Sequence, residues 1–408
     1  MSILNGKKII LGVSGSVACY KAVDLASKLS QAGALVDCIL TSSATRFVSP
    51  LSFASVTGRP AFTDEDLWGG QSHVLHVGLG HGADLLLLAP CTANTIAKLA
   101  AGTADNLLTI TALAARCPIL VAPAMDAGMY EHPATQANVQ TLRGRGILFA
   151  GPTQGRMASG LSGLGRFLEP AQVIGHARAA LGANGPLAGR RVVVTAGGSR
   201  QPIDPVRYIG NRSSGKQGFA LAQAAIDAGA QVTLISHPTG LPVPPTARLI
   251  SVETAGQMQQ AVLAELHAGA EALIMAAAVA DFTPANPAGQ KIKKRDGMLS
   301  IELEPTADIL AEVASKRPSL PQLKAVIGFA AESQDLLANA RQKLAAKKLD
   351  LIAANDISAA DAGFGTENNR VTLMYPDGSS QSLPLAAKEQ VSEQIISELA
   401  HLLAAKGS

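Results

Sequence analysis

Aromatic residues make up only 3% of this chain. That scarcity removes the stacked rings on which single-stranded nucleic acids are held. Charge of one sign is also missing: 34 Lys and Arg stand against 31 Asp and Glu, a net charge of +3, and no broad field for a polyanion such as DNA results. Nucleic acid is therefore excluded as a partner. Cysteine is sparse, with Cys19, Cys38, Cys91 and Cys117 all in the first half, in or beside apolar stretches, and no CxxC pair among them. These read as buried free thiols of a reducing compartment, not as a disulfide framework. Long apolar runs are absent too. Leu85 to Ala89 and Leu273 to Ala280 fall far below the ~20 residues needed to span a bilayer, so no membrane is expected. Lys7-Lys8 followed by Ser16-Val17-Ala18-Cys19 imitates a lipoprotein leader, but the uninterrupted run Ile9 to Val13 is shorter than a secretory core of roughly 7–15 residues. It reads as a first strand, and a cytoplasmic location is expected.

What is present is a pattern that begins twice. Lys8-Ile-Ile-Leu-Gly-Val-Ser-Gly-Ser16 and Arg191-Val-Val-Val-Thr-Ala-Gly-Gly-Ser199 are each a short apolar strand entering a Gly and Ser turn, with a helical stretch soon after. Such turns open α/β sheets and present backbone amides to phosphate. At 408 residues and 47% apolar composition the chain is long enough for two cores.

In the first half, apolar strands at 8–13, 35–40, 84–89, 118–122 and 146–150 alternate with helical patterns at 17–31, 93–101, 106–115, 134–143 and 171–181. Such alternation specifies a parallel sheet covered on both faces. In the second half, strands at 191–195, 231–236, 271–276, 325–329 and 350–353 alternate with helices at 215–229, 255–268, 333–347 and 387–404, and Tyr375-Pro-Asp-Gly378 reads as a hairpin turn after Val371 to Met374. The expectation is two tandem doubly wound, Rossmann-like α/β domains, the second with a late antiparallel addition. Their bounds are read as 1–181 and 190–408, with the Gly-, Pro- and Ala-rich 182–189 as linker.

Beyond Arg190 four clusters carry chemistry. They are Asp204-Pro-Val-Arg207 with Ile209-Gly-Asn211-Arg-Ser-Ser-Gly215-Lys216; Ala278-Val-Ala-Asp281; Lys291-Ile-Lys-Lys294; and Gly328-Phe329-Ala-Ala-Glu332 with Lys343 and Lys347 on one helical face downstream. A basic tetrad alone is equally an ordinary solvated face. In order and spacing, however, these clusters resemble the ligase half of the bifunctional phosphopantothenoylcysteine decarboxylase/phosphopantothenate-cysteine ligase family of bacterial coenzyme A synthesis, and the resemblance covers nearly the whole chain. It implies that the 4'-phosphopantothenate carboxylate attacks the α-phosphate of CTP with Mg²⁺ present, giving an acyl-cytidylate that the amine of cysteine then opens. A carboxylate is a poor electrophile until it gains such a leaving group, and the triphosphate needs cations around it. Matched position by position, Asn211 holds the acyl intermediate and Lys291 faces the phosphates. The nucleotide contacts fall on Met275, Ala276, Ala277, Asp281, Ala307, Asp308, Ile309, Leu310, Phe329, Lys343 and Lys347. Ala307 departs from the proline expected before the aspartate. The resemblance assigns no side chain to Mg²⁺.

For the first half the resemblance implies an FMN-dependent oxidative decarboxylation of phosphopantothenoylcysteine. Oxidation of the thiol makes a thioaldehyde able to accept the electrons left behind by CO₂, and hydride then returns to the product. FMN contacts are implied at Gly15, Ser16, Val17, Thr41, Ser42, Phe53, Thr92, Ala93, Asn94 and Thr95, and His76 matches the active-site histidine, with His73 an ordinary loop alternative. Two matched positions depart from the pattern: Asp126 stands where asparagine is expected and Ser159 where a cysteine acid is expected. An ionised aspartate repels a substrate carboxylate that asparagine would bind, and a hydroxyl is a far weaker acid than a thiol of pKa about 8.5. Three accounts stay open: a working decarboxylase that tolerates both changes, a flavin domain kept as assembly scaffold or regulatory module, and a related activity on another thiol or carboxylate. A homo-oligomer follows from the resemblance, with trimeric flavin domains and dimeric ligase domains.

Overall fold

The computed structural model describes residues 3–68, 74–293, 299–332, 335–356 and 366–406. The chain forms two compact units, Met1–Gly182 and Ala183–Ser408.

Unit 1 contains strands β1 (Lys8–Val13), β2 (Leu35–Leu40), β3 (Ala61–Phe62), β4 (Leu85–Cys91), β5 (Ile119–Pro123), β6 (Leu148–Phe149), β7 (Thr153–Arg156) and β8 (Ser162–Arg166). Its helices are α1 (Cys19–Gln31), α2 (Pro50–Thr57), α3 (Leu75–Gly82), α4 (Ala93–Ala101), α5 (Leu107–Ala114), α6 (Ala127–Glu131), α7 (Pro133–Gly144) and α8 (Pro170–Gly182). The first six strands form one all-parallel sheet in the order β3-β2-β1-β4-β5-β6, and β7 and β8 form a separate hairpin. Because side chains alternate across a strand, β1 serves two cores. Ile9, Leu11 and Val13 pack with α1 and α8, whereas Ile10 joins Leu86 and Leu88 against α4, α5 and α7. Each such aliphatic side chain, fully buried, contributes about 1.5–3 kcal/mol of transfer free energy. Both faces being covered, the strands read as unbroken apolar runs.

Unit 2 contains β9 (Arg191–Ala196), β10 (Arg200–Pro202), β11 (Tyr208–Gly210), β12 (Gln231–Ser236), β13 (Arg248–Ser251), β14 (Ala272–Met275), β15 (Phe282–Pro284), β16 (Leu303–Pro305), β17 (Ala325–Glu332), β18 (Leu351–Asp356), β19 (Asn368–Asn369), β20 (Val371–Met374), β21 (Ser380–Ser382) and β22 (Ala386–Ala387). Its helices are α9 (Lys216–Asp227), α10 (Ala255–His267), α11 (Ile309–Lys316), α12 (Leu336–Ala346) and α13 (Lys388–Ala405). The main sheet runs β13-β12-β9-β14-β17-β18-β20-β21. It is parallel through β18, and β20 and β21 are the antiparallel addition. One face, through Val193, Ile235 and Leu273, packs on α10, α11 and α12. The other carries α9 and α13, which lie along each other. Within 182–189, Leu187 is fully buried and its amide donates to Ala228 O at 2.8 Å, which ties that stretch to the second unit.

Candidate active sites

In unit 2 the strand order reverses between β9 and β14, and the turns leaving these two strands are laced together. The Ala278 amide donates to Gly197 O at 2.8 Å, and the Ser199 amide returns to Ala278 O at 3.3 Å. Thr195 Oγ1 accepts from the Ala277 amide at 3.1 Å and Ser199 Oγ from the Ala280 amide at 2.8 Å. Such a switch point leaves a crevice beyond the carboxyl ends of the strands. A cavity of about 580 Å³ lies there, within the range that holds a small ligand. Its wall includes Asn211, Met275, Ala276, Ala277, Asp281, Ala307, Asp308, Ile309, Leu310, Phe329, Lys343 and Lys347.

The side chains there are held by specific partners. Lys343 Nζ donates to Phe329 O at 2.8 Å, and Lys347 pairs with Asp308. Asp308 also caps α11, accepting from the Ala311 amide at 2.9 Å. Partial burial works against its ionisation, yet Lys347 and that amide hold its carboxyl below the ordinary aspartate value. Asn211 Nδ2 donates to Val279 O at 3.0 Å, joining the turn before α9 to the turn after β14. Lys291 is exposed and outside this wall, and Lys294 lies outside the described residues. The segment is anchored one residue on: the Ile292 amide donates to Asp204 Oδ2 at 3.1 Å and the Arg207 guanidinium to Ile292 O at 3.0 Å. Asp204 also accepts from Arg207 Nε and Nη2 and from the amides of Val206 and Arg207. The Arg207 guanidinium holds its carboxyl well below the usual range in spite of burial.

In unit 1 the switch point lies between β1 and β4, and the candidate flavin residues other than Phe53 sit on the turns after β1 and β2 and at the start of α4. Ser14 Oγ donates to Pro90 O and accepts from the Thr92 amide, both at 2.9 Å, joining the two turns. Thr92 caps α4, whose first turn carries Ala93, Asn94 and Thr95; Asn94 is exposed and Thr95 buried. A Cβ on Gly15 would stand 2.4 Å from that of Ser43, so only glycine lets the turn after β1 meet the turn after β2. Thr41 Oγ1 accepts from the Ala44 amide at 3.3 Å, and Ser42 Oγ donates to Asp64 Oδ2 at 2.6 Å. Val17 is exposed, and Phe53 is fully buried in the core beside α1. His76 lies in the first turn of α3, the helix that precedes β4. Its Nδ1 is buried and has no hydrogen-bond partner among the described residues, an orphan of the kind a ligand satisfies. His73 lies outside the described residues.

Residues 2–181 match the family described as Flavoprotein, and residues 187–403 the DNA/pantothenate metabolism flavoprotein C-terminal domain. The coenzyme A biosynthesis bifunctional protein CoaBC of Bacillus subtilis (strain 168) is 45% identical over 403 residues, 98% of either chain. That of Mycobacterium tuberculosis (strain ATCC 25618 / H37Rv) is 44% identical over 411 residues, 98% of this chain and 97% of its own. The chain belongs to the CoaBC family of bifunctional coenzyme A biosynthesis proteins. The crystal structure of a CoaBC C-terminal domain is 35% identical, covering 54% of this chain and 100% of its own with a TM-score of 0.46.

A CoaBC protein is a bifunctional enzyme, and the matched family models give its two units as the flavoprotein and the ligase-type domain that the resemblance implies. Asp126 and Ser159 turn out to be bonded to each other. Ser159 Oγ, at the tip of the β7–β8 hairpin, donates to Asp126 Oδ2 at 2.8 Å, while Asp126 Oδ1 caps α6 by accepting from the Gly128 amide at 3.1 Å. Several residues with a place in these sites were not singled out in the sequence. Asp64 holds Ser42 and also the amide of Leu107 at 3.1 Å, and its only signal was the acidic run Asp64-Glu-Asp66. Asn355, Asn369 and Lys388 line the cavity of unit 2 beside Lys216 of the quoted motif, and nothing in the sequence marked them.

Proposed function

We propose that unit 2 joins cysteine to 4'-phosphopantothenate using CTP, and that unit 1 decarboxylates the resulting phosphopantothenoylcysteine to 4'-phosphopantetheine using FMN. The cavity at the β9/β14 switch point, with Asn211, Asp281, Lys343 and Lys347 in one wall, carries the first half. There Lys343 and Lys347 meet the nucleotide, and the Ala276–Ala278 backbone sets its depth. A carboxylate oxygen of 4'-phosphopantothenate forms a bond to the α-phosphorus as the bond to pyrophosphate breaks. The amide of Asn211, fixed on Val279, orients the acyl-cytidylate while the cysteine amine attacks its acyl carbon and CMP leaves. Lys291 reaches the phosphates from the segment that Asp204 anchors. Among the described residues no group of three His, Cys, Asp or Glu side chains could hold a metal, so we assign Mg²⁺ to the nucleotide as its companion.

In unit 1 the turns carrying Gly15–Val17, Thr41–Ser42 and Thr92–Thr95 fit a flavin mononucleotide, with the N-terminus of α4 for its phosphate. FMN, when bound, supplies the two-electron acceptor for the thiol and the hydride returned later. The chain's own part is positioning and proton handling. His76, whose Nδ1 has no protein partner among the described residues, is assigned to the substrate side of the flavin. The Ser159 hydroxyl already donates to Asp126, so it can only relay to the substrate a proton supplied by water or His76 and does not originate one. Exposed Tyr20, Leu51 and Leu113 in unit 1 and Val206, Tyr208 and Phe282 in unit 2 are apolar surface in keeping with self-association through each unit; trimeric flavin and dimeric ligase domains are what the family resemblance implies. We place the protein in the cytoplasm, in keeping with its free cysteines.

Pyrophosphate release from CTP tests the ligase half. It is expected only when 4'-phosphopantothenate and cysteine are both supplied, and no release with CTP or ATP would refute it. Purified protein is expected to be yellow and to evolve CO₂ from phosphopantothenoylcysteine. Bound flavin without CO₂ would instead support a scaffold.

A further inference from the structure

The cavity of unit 2 crosses the edge of the sheet from one face to the other. Lys343 and Lys347 project from α12, on the side covered by α11 and α12, whereas Lys216 and Lys388 open α9 and α13 on the opposite side. Lys388 is unusual for a lysine in being only 7% exposed while lining a cavity. Its ammonium donates to Thr366 O. A buried ammonium is costly unless it meets an acceptor or an anion. Burial, and then the nearby positive charge of Lys216, push its pKa below the ordinary lysine value, although Glu367 acts the other way. Lys216 pairs with Glu367, whose side chain is 80% exposed, so this acid sits at the rim. Such a solvated ion pair is weak and yields to a polyanion.

The two lysines are also rigidly placed. Gln217 Nε2 donates to Ser392 Oγ at 2.8 Å, Asn369 Nδ2 to Gln217 Oε1 at 3.1 Å, and Ser392 Oγ to Lys388 O at 2.7 Å. Ser392 and Asn369 are buried. This network fixes the start of α9 against the start of α13, and with it the spacing of the two cations. A preorganised pair of cations suits charge that grows during a reaction.

We infer that Lys388 and Lys216 bind the β- and γ-phosphates of the nucleoside triphosphate and stabilise the departing pyrophosphate. The inference rests on the ligase reading and extends it to residues outside the implied nucleotide set. With the base and ribose on the Lys343 and Lys347 side, the triphosphate runs over the Ala276–Ala278 turn toward α9. As the substrate carboxylate bonds to the α-phosphorus, the electron pair of the breaking P–O bond leaves with pyrophosphate, and no proton transfer is needed. The developing negative charge is met by the two ammonium groups.

Calorimetric titration of the full-length protein with CTP, CMP and inorganic pyrophosphate, each with Mg²⁺, tests the clamp in wild type, Lys388→Met and Lys388→Arg. Lys388→Met is expected to lose about 10- to 100-fold in CTP and pyrophosphate affinity. CMP affinity stays within about twofold of wild type, because CMP lacks the phosphates in question, and Lys388→Arg recovers most of the loss. Equal weakening of CMP and CTP, or unchanged pyrophosphate affinity, overturns the inference and leaves Lys388 as a tether for Thr366. Should Lys388→Met fail to fold, Lys216→Met at the rim carries the same test, with the same split between CTP and CMP expected. A wild type that binds no CTP refutes the ligase reading itself, and the clamp with it.

Discussion

Gly218 is the point at which helix α9 rests on the sheet, and replacing it with alanine tests how closely the fold sets the second site. A Cβ there would stand 2.5 Å from that of Ala196 and 2.9 Å from both Ala196 Cα and Thr195 O. Two of those three neighbours are backbone and cannot rotate aside. Restoring a 3.4 Å contact requires α9 to lift by about 0.9 Å. Alanine gains about 1 kcal/mol of helix propensity over glycine, while overpacking of this kind costs about 1–3 kcal/mol, at the upper end where backbone is struck. A net loss of about 1–2 kcal/mol follows, or roughly 2–8 °C in the unfolding of a unit of this size. The functional effect is larger, because the start of α9 carries Ser213 to Lys216 into the cavity. A displacement near 1 Å at a reacting centre is worth on the order of 100-fold in rate. Differential scanning calorimetry, with flavin absorbance reporting unit 1 separately, should show only the second unit's transition lowered. Pyrophosphate release should fall by one to two orders of magnitude, about 10- to 100-fold, while CO₂ release from supplied phosphopantothenoylcysteine stays at the wild-type rate. Normal pyrophosphate release in Gly218→Ala would refute the claim that this backbone contact positions the site.

Asp126→Asn keeps the α6 cap and can still accept from Ser159, so folding is unaffected, while loss of the negative charge should raise CO₂ release on the order of tenfold with pyrophosphate release unchanged. Unchanged or lower CO₂ release would show that the charge itself is used. Asp204 has a folded pKa below its unfolded one, so its contribution to stability is complete above about pH 4 and is lost as pH falls through the folded value. Thermal unfolding of unit 2 between neutral and acid pH should therefore show a drop below about pH 4 that Asp204→Asn flattens, from a lower starting stability. Lys347→Met removes an ion pair that is half-exposed at Asp308, so thermal stability should move by less than about 1 kcal/mol while the KM for CTP rises about tenfold. A stability loss without a KM change would make the pair merely structural.

Both sheets were legible because strands buried on two faces are written as unbroken apolar runs; β1, β2 and β12 fall on the expected residues. The hairpin at Tyr375–Gly378 was legible from its turn chemistry, and its two strands form the antiparallel edge. The parts that were not read are held by backbone and polar contacts that leave no apolar period. Arg200-Gln-Pro202 and Leu303-Glu-Pro305 are strands without a hydrophobic face. Helix α3 contains Gly78, Gly80 and Gly82, which argue against a helix by propensity. Expected strand 146–150 shrinks to Leu148–Phe149, with Gly146 at φ +81° before it. The turn at Ala307–Leu310 was noted for nucleotide contact but not as the capped start of α11, although Asp308 is a good N-cap residue. At the first site, Asp126 and Ser159 were read as two separate departures. Their hydrogen bond spans 33 residues of sequence and depends on the β7–β8 hairpin, which no period in the sequence marks.

The central claim is that one chain performs two successive reactions, and a single coupled turnover assay tests it most directly. Purified wild-type protein, given 4'-phosphopantothenate, cysteine, CTP and Mg²⁺, should form pyrophosphate, CMP, CO₂ and 4'-phosphopantetheine in equal amounts. Pyrophosphate and CMP accumulating with phosphopantothenoylcysteine as the end product, and no CO₂, would contradict it.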